Sequence, residues 1–325
     1  MPPDPADAGA AAPAALPPED DALVRLARAL RAAGYRFVTP TPATHERVNR
    51  RPGNGRARGP TDVFGWSRPF EDGVLPADML DLLAAAGELE RAGDGWRSRV
   101  RLSGLDGELF WHSAHPTAAE DSVFFGPDTY RFAGALRAWL ERGAPVGRAV
   151  DIGAGAGPGG IVVAKARPGA RVVLADINPA ALRLARVNAH LAGTPGVEAR
   201  RSDLLAGTEG AFDLIISNPP YLNDRAERAY RHGGGPLGAG LSLAIVRAAC
   251  ERLAPGGTLL LYTGVAIVGG DDPFRDAAAP VLDGAGLRWT YRELDPDVFG
   301  EELDTEAYAR ADRIAAVVLA ATKQR

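Results

Sequence analysis

The stretch DIGAGAGPGG, Asp151 to Gly160, follows a short apolar run, RAV, and leads into a second one, IVVAKA. Its glycines predict a tight backbone turn between a buried strand and a helix, with the helix N-terminus facing whatever lies over the loop. Gly153, Gly155 and Gly157 stand at two-residue spacing after Asp151. Such a loop lets a ligand rest on main chain, and Ala154 shares that floor.

Working outward, apolar strand-like and helix-like runs alternate. RVVLADI, VEARRSD, FDLIIS and TLLLYTG read as strands, and PGGIVVAKA, NPAALRLARVNAHLAG and SLAIVRAACERLA as helices. This grammar predicts an α/β fold with a parallel, doubly wound sheet. DPFRDAAAPVLDGAG, LRWTYREL and RIAAVVLAAT then read as helix, strand, strand, a departure from strict alternation. Asn178 is the expected cap of the helix after the second strand, with Pro179 in its first turn. Asp176 closes that second strand, where a carboxylate can accept hydrogen bonds from both hydroxyls of an adenosine ribose. Asp203 follows the third strand and is placed to hold an adenine amino group; Ile177 and Leu204 border these acids. Gly155, Gly157 and Gly160 also satisfy GxGxxG. A nicotinamide dinucleotide and S-adenosylmethionine both carry an adenosine ribose, so these features admit either.

The fourth strand runs into Asn218, Pro219, Pro220 and Tyr221. Two prolines cannot continue the ladder, so they fix a rigid turn at the carboxyl edge of the sheet. An amide or nucleobase nitrogen is a poor nucleophile because its lone pair is delocalised. The Asn218 side-chain carbonyl and the Pro219 main-chain carbonyl can each accept one of its N–H bonds and orient the lone pair toward a methyl sulfonium. Tyr221 is placed to stack on a flat acceptor group. Hydride transfer has no evident use for such a turn.

From about Val123 to the C-terminus the chain resembles a class I S-adenosylmethionine-dependent methyltransferase of the NPPY group. The motifs DIGAGAG, LADINP, SDL and SNPPY carry the resemblance, in that order. The group includes release-factor glutamine methyltransferases and enzymes that methylate adenine or guanine amino groups of RNA and DNA. The resemblance implies a Rossmann-like seven-stranded sheet and S-adenosylmethionine bound by Asp151, Gly153, Ala154, Gly155, Asp176, Ile177, Asp203, Leu204 and Asn218. It implies catalysis at Asn218, Pro219, Pro220 and Tyr221. SVFFGPDTYRFAGAL resembles the Pro-x-Thr turn that helps close the cofactor pocket in these enzymes, although Gly126 precedes Pro127 where glutamine methyltransferases carry arginine. YRHGGGPLGAG resembles their glycine-rich passage. The lead acceptor is a protein glutamine, with a translation release factor as partner; an RNA or DNA base is the alternative. Readings of other classes are a dinucleotide oxidoreductase and a non-catalytic binding module.

The remainder bounds these expectations. Residues 1–20, rich in Ala, Pro and Asp, predict a disordered tail, 21–120 an N-terminal substrate-recognition module, and 121–325 the methyltransferase domain. Within the module, DALVRLARALRAAGY and ADMLDLLAAAGELE read as helices, the intervening HERVNRRPGNGRARGPTDVFGW as a loop, and GWRSRVRLSGLDGELFWHS as a hairpin, a pattern compatible with a small winged-helix-like α+β unit. A net charge of −4 and a pI near 5.8 argue against non-specific coating of nucleic acid. The arginines of the loop, Arg47, Arg50, Arg51, Arg56 and Arg58, remain a candidate phosphate contact. His112 and His115 lack an evident third ligand, so no metal is expected. Trp66, Trp96 and Trp111 are expected in the core or at a domain contact. A single cysteine, Cys250, excludes an intrachain disulfide, and a proline-broken N-terminus with no long apolar run predicts a cytoplasmic protein without a membrane span.

Overall fold

The computed structural model describes residues 15–117, 119–194, 196–224 and 230–325. The N-terminal part contains helices α1 (Pro18–Ala32), α2 (Pro42–Asn49), α3 (Pro60–Phe64) and α4 (Ala77–Ala85), then two antiparallel hairpins, β1 (Leu89–Ala92) with β2 (Gly95–Ser98) and β3 (Val100–Leu105) with β4 (Glu108–Ser113). The expected hairpin is β3–β4; the smaller β1–β2 pair consumes the end of the expected second helix.

Two expectations fail here. The stretch 45–66 is not an irregular loop, because α2 and α3 lie within or across it. Thr41 caps α2 through its side chain, Pro42 stands in its first turn, and His45, Val63 and Phe64 are buried, so tertiary packing overrides the poor local propensity. The tail boundary at 20 also falls too late, since α1 begins at Pro18 and Asp20 is only 2% exposed. Arg183 explains the burial: its Nε donates to Asp20 at 2.6 Å, and its other nitrogens reach Glu88 and the carbonyl of Ala86. Residues 1–14 of the expected tail lie outside the described residues.

The second part follows the expected alternation: α5 (Pro127–Leu140), β5 (Arg148–Ile152), α6 (Pro158–Ala166), β6 (Arg171–Asp176), α7 (Pro179–Leu191), β7 (Val197–Arg201), β8 (Phe212–Ser217), α8 (Gly240–Arg252), β9 (Leu253–Ile267), α9 (Pro273–Gly284), β10 (Leu287–Asp295) and β11 (Arg313–Lys323). The seven strands are ordered β10-β11-β9-β8-β5-β6-β7. β5 to β9 run parallel, and β11 is antiparallel to both its neighbours. This is the Rossmann-like methyltransferase sheet expected from the sequence, with 3-10 turns rather than an α-helix between the last two strands. The chain leaves β5 toward β6 and returns at β8 on its other side, so the carboxyl ends of β5 and β8 flank the switch point where ligands bind in open α/β sheets.

One apolar cluster covers a face of the sheet through α8 and α9, with Cys250 half-buried at its border. The other cluster runs without interruption from α1 through Trp111 on β4 to α5, α6 and α7. The N-terminal part therefore shares a core with the sheet. Trp111 is fully buried and donates through its indole to the carbonyl of Leu23 at 3.0 Å. Among the described residues no helix is long and apolar enough to cross a membrane.

Arg183→Met would strand two buried carboxylates, Asp20 and Glu88. We expect it to lower unfolding free energy by about 3 kcal/mol in urea titrations, and Asp20→Asn in the same chain to recover part of that loss.

Candidate active site

Every residue nominated from the sequence for cofactor or acceptor lines one cavity at the switch point. At its β6 side, Gly153 and Ala154 donate to the carbonyl of Ala175 at 2.8 and 3.1 Å, which folds the loop back over the sheet edge. Gly153 and Gly155 have φ of 66° and 55°, and a Cβ at either would project into open space. Gly160 differs: a Cβ there would overlap the Leu174 side chain, so this glycine serves close helix-to-sheet packing. Asp151 is buried and accepts from the Gly160 amide at 2.8 Å. Its carboxylate thus anchors the start of α6. Burial pushes its pKa up to about 7, helped by the nearby Asp176 charge.

Asp176 accepts from the Gly155 amide through Oδ2 and from the Asn178 amide through Oδ1, both at 2.9 Å. A carboxylate has about four acceptor positions, so Asp176 keeps acceptor capacity toward the cavity for ribose hydroxyls. Asn178 caps α7 as expected, accepting from Ala180 at 2.9 Å. Ile177 is 53% exposed at the cavity wall, an unusual setting for a large aliphatic residue and a suitable face for a flat base. Asp203 is exposed beside it, and Leu204 holds a positive φ of 49° that turns the chain across the mouth. These features fit S-adenosylmethionine: an apolar face and an acid for adenine, a free bidentate acceptor for ribose, and a main-chain floor at Gly153 and Gly155.

At the β8 side, the Ser217 hydroxyl donates to the carbonyl of Ile152 at 2.7 Å and clamps the two strand ends together. Asn218 follows, half-buried, and among the described residues neither its side-chain amide nor the Pro219 carbonyl has a hydrogen-bond partner. Tyr221 is only 7% exposed. Its ring packs against the Gly264 backbone and edge-on to Phe299 at 5.8 Å, while its hydroxyl donates to Asp128 at 2.9 Å. Burial and the adjacent carboxylate push that hydroxyl well above the usual phenol range, so it stays a donor.

Asp128 is the residue that sequence reasoning passed over. It lies at the start of α5, 3% exposed, and also accepts from Tyr262 at 2.6 Å and Arg131 at 3.2 Å. The signal was present, since Asp128 is the middle residue of the Pro-x-Thr turn. Phe299 and Thr117 also line the cavity, and no local pattern marks them; Arg231 lines it too, from the glycine-rich passage YRHGGGPLGAG. His112 and His115 lie outside it, as do the five arginines; all five are exposed, with Arg50 paired to Glu46 and Arg58 to Asp62.

A family model described as methyltransferase small domain matches residues 135–265. A release factor glutamine methyltransferase of Deinococcus radiodurans is 36% identical over 215 residues, covering 63% of this chain and 73% of that protein. The chain belongs to the class I S-adenosylmethionine-dependent methyltransferases of the NPPY group. It is an N-methyltransferase with S-adenosylmethionine as cofactor. Two further relatives show how acceptors vary on this frame. A 4-amino-L-phenylalanine/4-methylamino-L-phenylalanine methyltransferase of Streptomyces pristinaespiralis is 33% identical over 171 residues, 50% of this chain and 56% of that one. A ribosomal protein uL3 glutamine methyltransferase of Neisseria gonorrhoeae is 33% identical over 140 residues, 40% of this chain and 47% of that one. The chain thus spans about half the length of these two.

The methyltransferase's buried Asp151 sets a pH dependence. Its folded pKa lies above the ordinary value of 3.8, so the stability it contributes is full below that value and is lost as pH rises through about 7. In urea titrations from pH 4.5 to 7.5, Asp151→Asn should give a flatter stability profile than the parent chain; parallel profiles would contradict the assignment.

Proposed function

We propose that this methyltransferase transfers a methyl group to the side-chain amide nitrogen of a glutamine in a protein of the translation apparatus, a release factor being the lead partner. The observation that carries the reading is a pair of acceptors without a partner among the described residues, the Asn218 amide oxygen and the Pro219 carbonyl, on the same cavity as the glycine loop. A glutamine NH2 offers two N–H donors, one for each. With both engaged, the lone pair is turned out of conjugation toward the activated methyl that S-adenosylmethionine supplies. As the N–C bond forms the S–CH3 bond breaks, leaving a neutral thioether, so the positive charge passes to the nitrogen, and the two oxygens, held in a site walled by Pro220, Tyr221 and Phe299, favour that charge. The nitrogen then sheds a proton readily, so no strong base is needed. In the same reading Asp176 holds the ribose hydroxyls, Asp203 and Leu204 the adenine edge with Ile177 on its face, and Gly153, Ala154 and Gly155 the chain bearing the sulfonium. Asp151 acts through the loop it anchors. The N-terminal part, from α1 to about residue 120, forms the substrate-recognition module, joined to the 121–325 catalytic part through the shared core, and the setting is cytoplasmic. The two glutamine-modifying relatives support the choice of acceptor.

The test is transfer of tritiated S-adenosylmethionine label into extract from cells lacking this protein. Label should enter protein and emerge on digestion as methylglutamine; label confined to RNA or to small solutes would reject the protein acceptor. Asn218→Ala should lower kcat/KM by roughly 10²- to 10³-fold with S-adenosylhomocysteine affinity nearly unchanged in calorimetry. Asp176→Ala should instead weaken that affinity by about 10- to 100-fold, and normal affinity would remove Asp176 from the ribose site.

A further inference from the structure

Arg231 lines the cavity from the glycine-rich passage, and its main chain fixes where it stands. The Arg231 carbonyl accepts from the Leu222 amide at 3.1 Å, and the Gly233 amide donates to the Leu222 carbonyl at 2.8 Å, so the passage runs beside the residue that follows Tyr221. A Cβ at Gly233 would overlap the main chain of Pro220 and Tyr221, and one at Gly238 the Tyr221 carbonyl. Glycine alone allows this approach. The passage thereby sets Arg231 against the Asn-Pro-Pro-Tyr turn.

The guanidinium is held from the other side by the connection between β10 and β11. Arg231 Nη2 donates to Glu302, a buried carboxylate on the 3-10 turn Gly300–Asp304. That turn is itself fixed: the Glu302 amide donates to the Phe299 carbonyl at 2.9 Å, and further along the connection the Tyr308 hydroxyl accepts from the Asn223 amide at 2.9 Å. Arg231 Nε is buried, 3.8 Å from Asp224 Oδ1. Nη1 differs from both, since it has no hydrogen-bond partner among the described residues and is not buried. With a carboxylate on each flank the positive charge is already met, so the open N–H groups suit a neutral oxygen better than a phosphate or a carboxylate.

An amide brings such an oxygen. With its two N–H bonds directed at Asn218 and Pro219, its carbonyl must find a donor inside the cavity or stay unpaired at a cost. Two hydroxyls on this wall are already committed, Tyr221 to Asp128 and Tyr230 to the Thr117 carbonyl. We propose that Arg231 donates through Nη1 to the carbonyl oxygen of the acceptor amide and is the residue by which the site selects an amide. The assignment rests on the acceptor nitrogen lying over Asn218. A donor on that oxygen draws electron density away from the nitrogen, so the contact serves binding and not rate, and its loss falls on KM.

Label transfer into serial dilutions of the extract separates KM from kcat. Arg231→Ala should raise KM by roughly 10- to 100-fold with kcat unchanged or raised, and about 20 mM guanidinium chloride, against equal sodium chloride, should restore part of that loss. Arg231→Lys keeps a cation for Glu302 but gives up the second nitrogen of the fork, so it should melt with the parent chain and still raise KM severalfold. If the ion pair with Glu302 were all that mattered, Arg231→Lys would match the parent, and that result would overturn the assignment, as would a fall in kcat at unchanged KM. Should Arg231→Ala fail to fold, Arg231→Lys decides. Label in RNA or small solutes in place of methylglutamine would overturn the acceptor reading itself, whereas methylglutamine formed at parent KM by Arg231→Lys would remove Arg231 alone.

Discussion

The buried carboxylate of Asp128 holds the acceptor end of the site in place. It accepts hydrogen bonds from Tyr221 beyond β8, Tyr262 in β9 and Arg131 in α5. A buried anion is tolerated only when its lone pairs are filled with good geometry, and removing one donor leaves a charge the interior cannot solvate. That requirement makes the position of each partner a condition on the others. Tyr221 cannot swing, so the two prolines before it and the Asn218 amide are fixed as well. Arg131 reaches on to Asp295 at the end of β10 at 2.8 Å, which ties the far edge of the sheet to the same point.

A second polar tie couples the N-terminal part to the cofactor end. Asn188, on α7 and fully buried, accepts from the Trp111 amide at 2.8 Å and donates to the Trp111 carbonyl at 3.0 Å, behaving as one more residue of a strand beside β4. The same side-chain nitrogen also donates to the carbonyl of Ala156 in the glycine loop at 2.9 Å. The hairpin and the loop are therefore positioned by one side chain. Together with the continuous apolar cluster, this makes the hairpin part of the frame around the site rather than a loosely attached module.

What was legible in the sequence follows from which forces are local. Buried parallel strands read as apolar runs, caps such as Asn178 sit next to the helices they begin, and the Asn-Pro-Pro-Tyr turn follows its strand directly, so the sheet, its order of elements and the nominated residues could be found. The rest depends on partners far away in the chain. α2 and α3 form in a stretch of glycine, proline and arginine because Trp66 covers His45 and because Val63 and Phe64 reach the core. Asp20 looks like tail until Arg183 is seen opposite it. Asp128 and Tyr262 are separated by 134 positions, and no periodicity joins them.

The glycine loop shows why a phosphate-type fingerprint alone could not name the ligand. Its glycines do two jobs: Gly153 and Gly155 take positive φ and leave the floor clear, whereas Gly157 and Gly160 let α6 close on Leu174 of β6. Any βαβ unit that lays adenosine against main chain needs both, whatever chemistry follows. In the reading proposed above, the chemistry is decided across the switch point, where β8 ends in two acceptors that have no partner among the described residues. An NH2 can satisfy both with its two hydrogens. In that reading, specificity for the reaction resides in those two oxygens, and specificity for the cofactor in the Asp176 carboxylate, which accepts from Gly155 of the loop and from Asn178 of its own turn and faces the cavity.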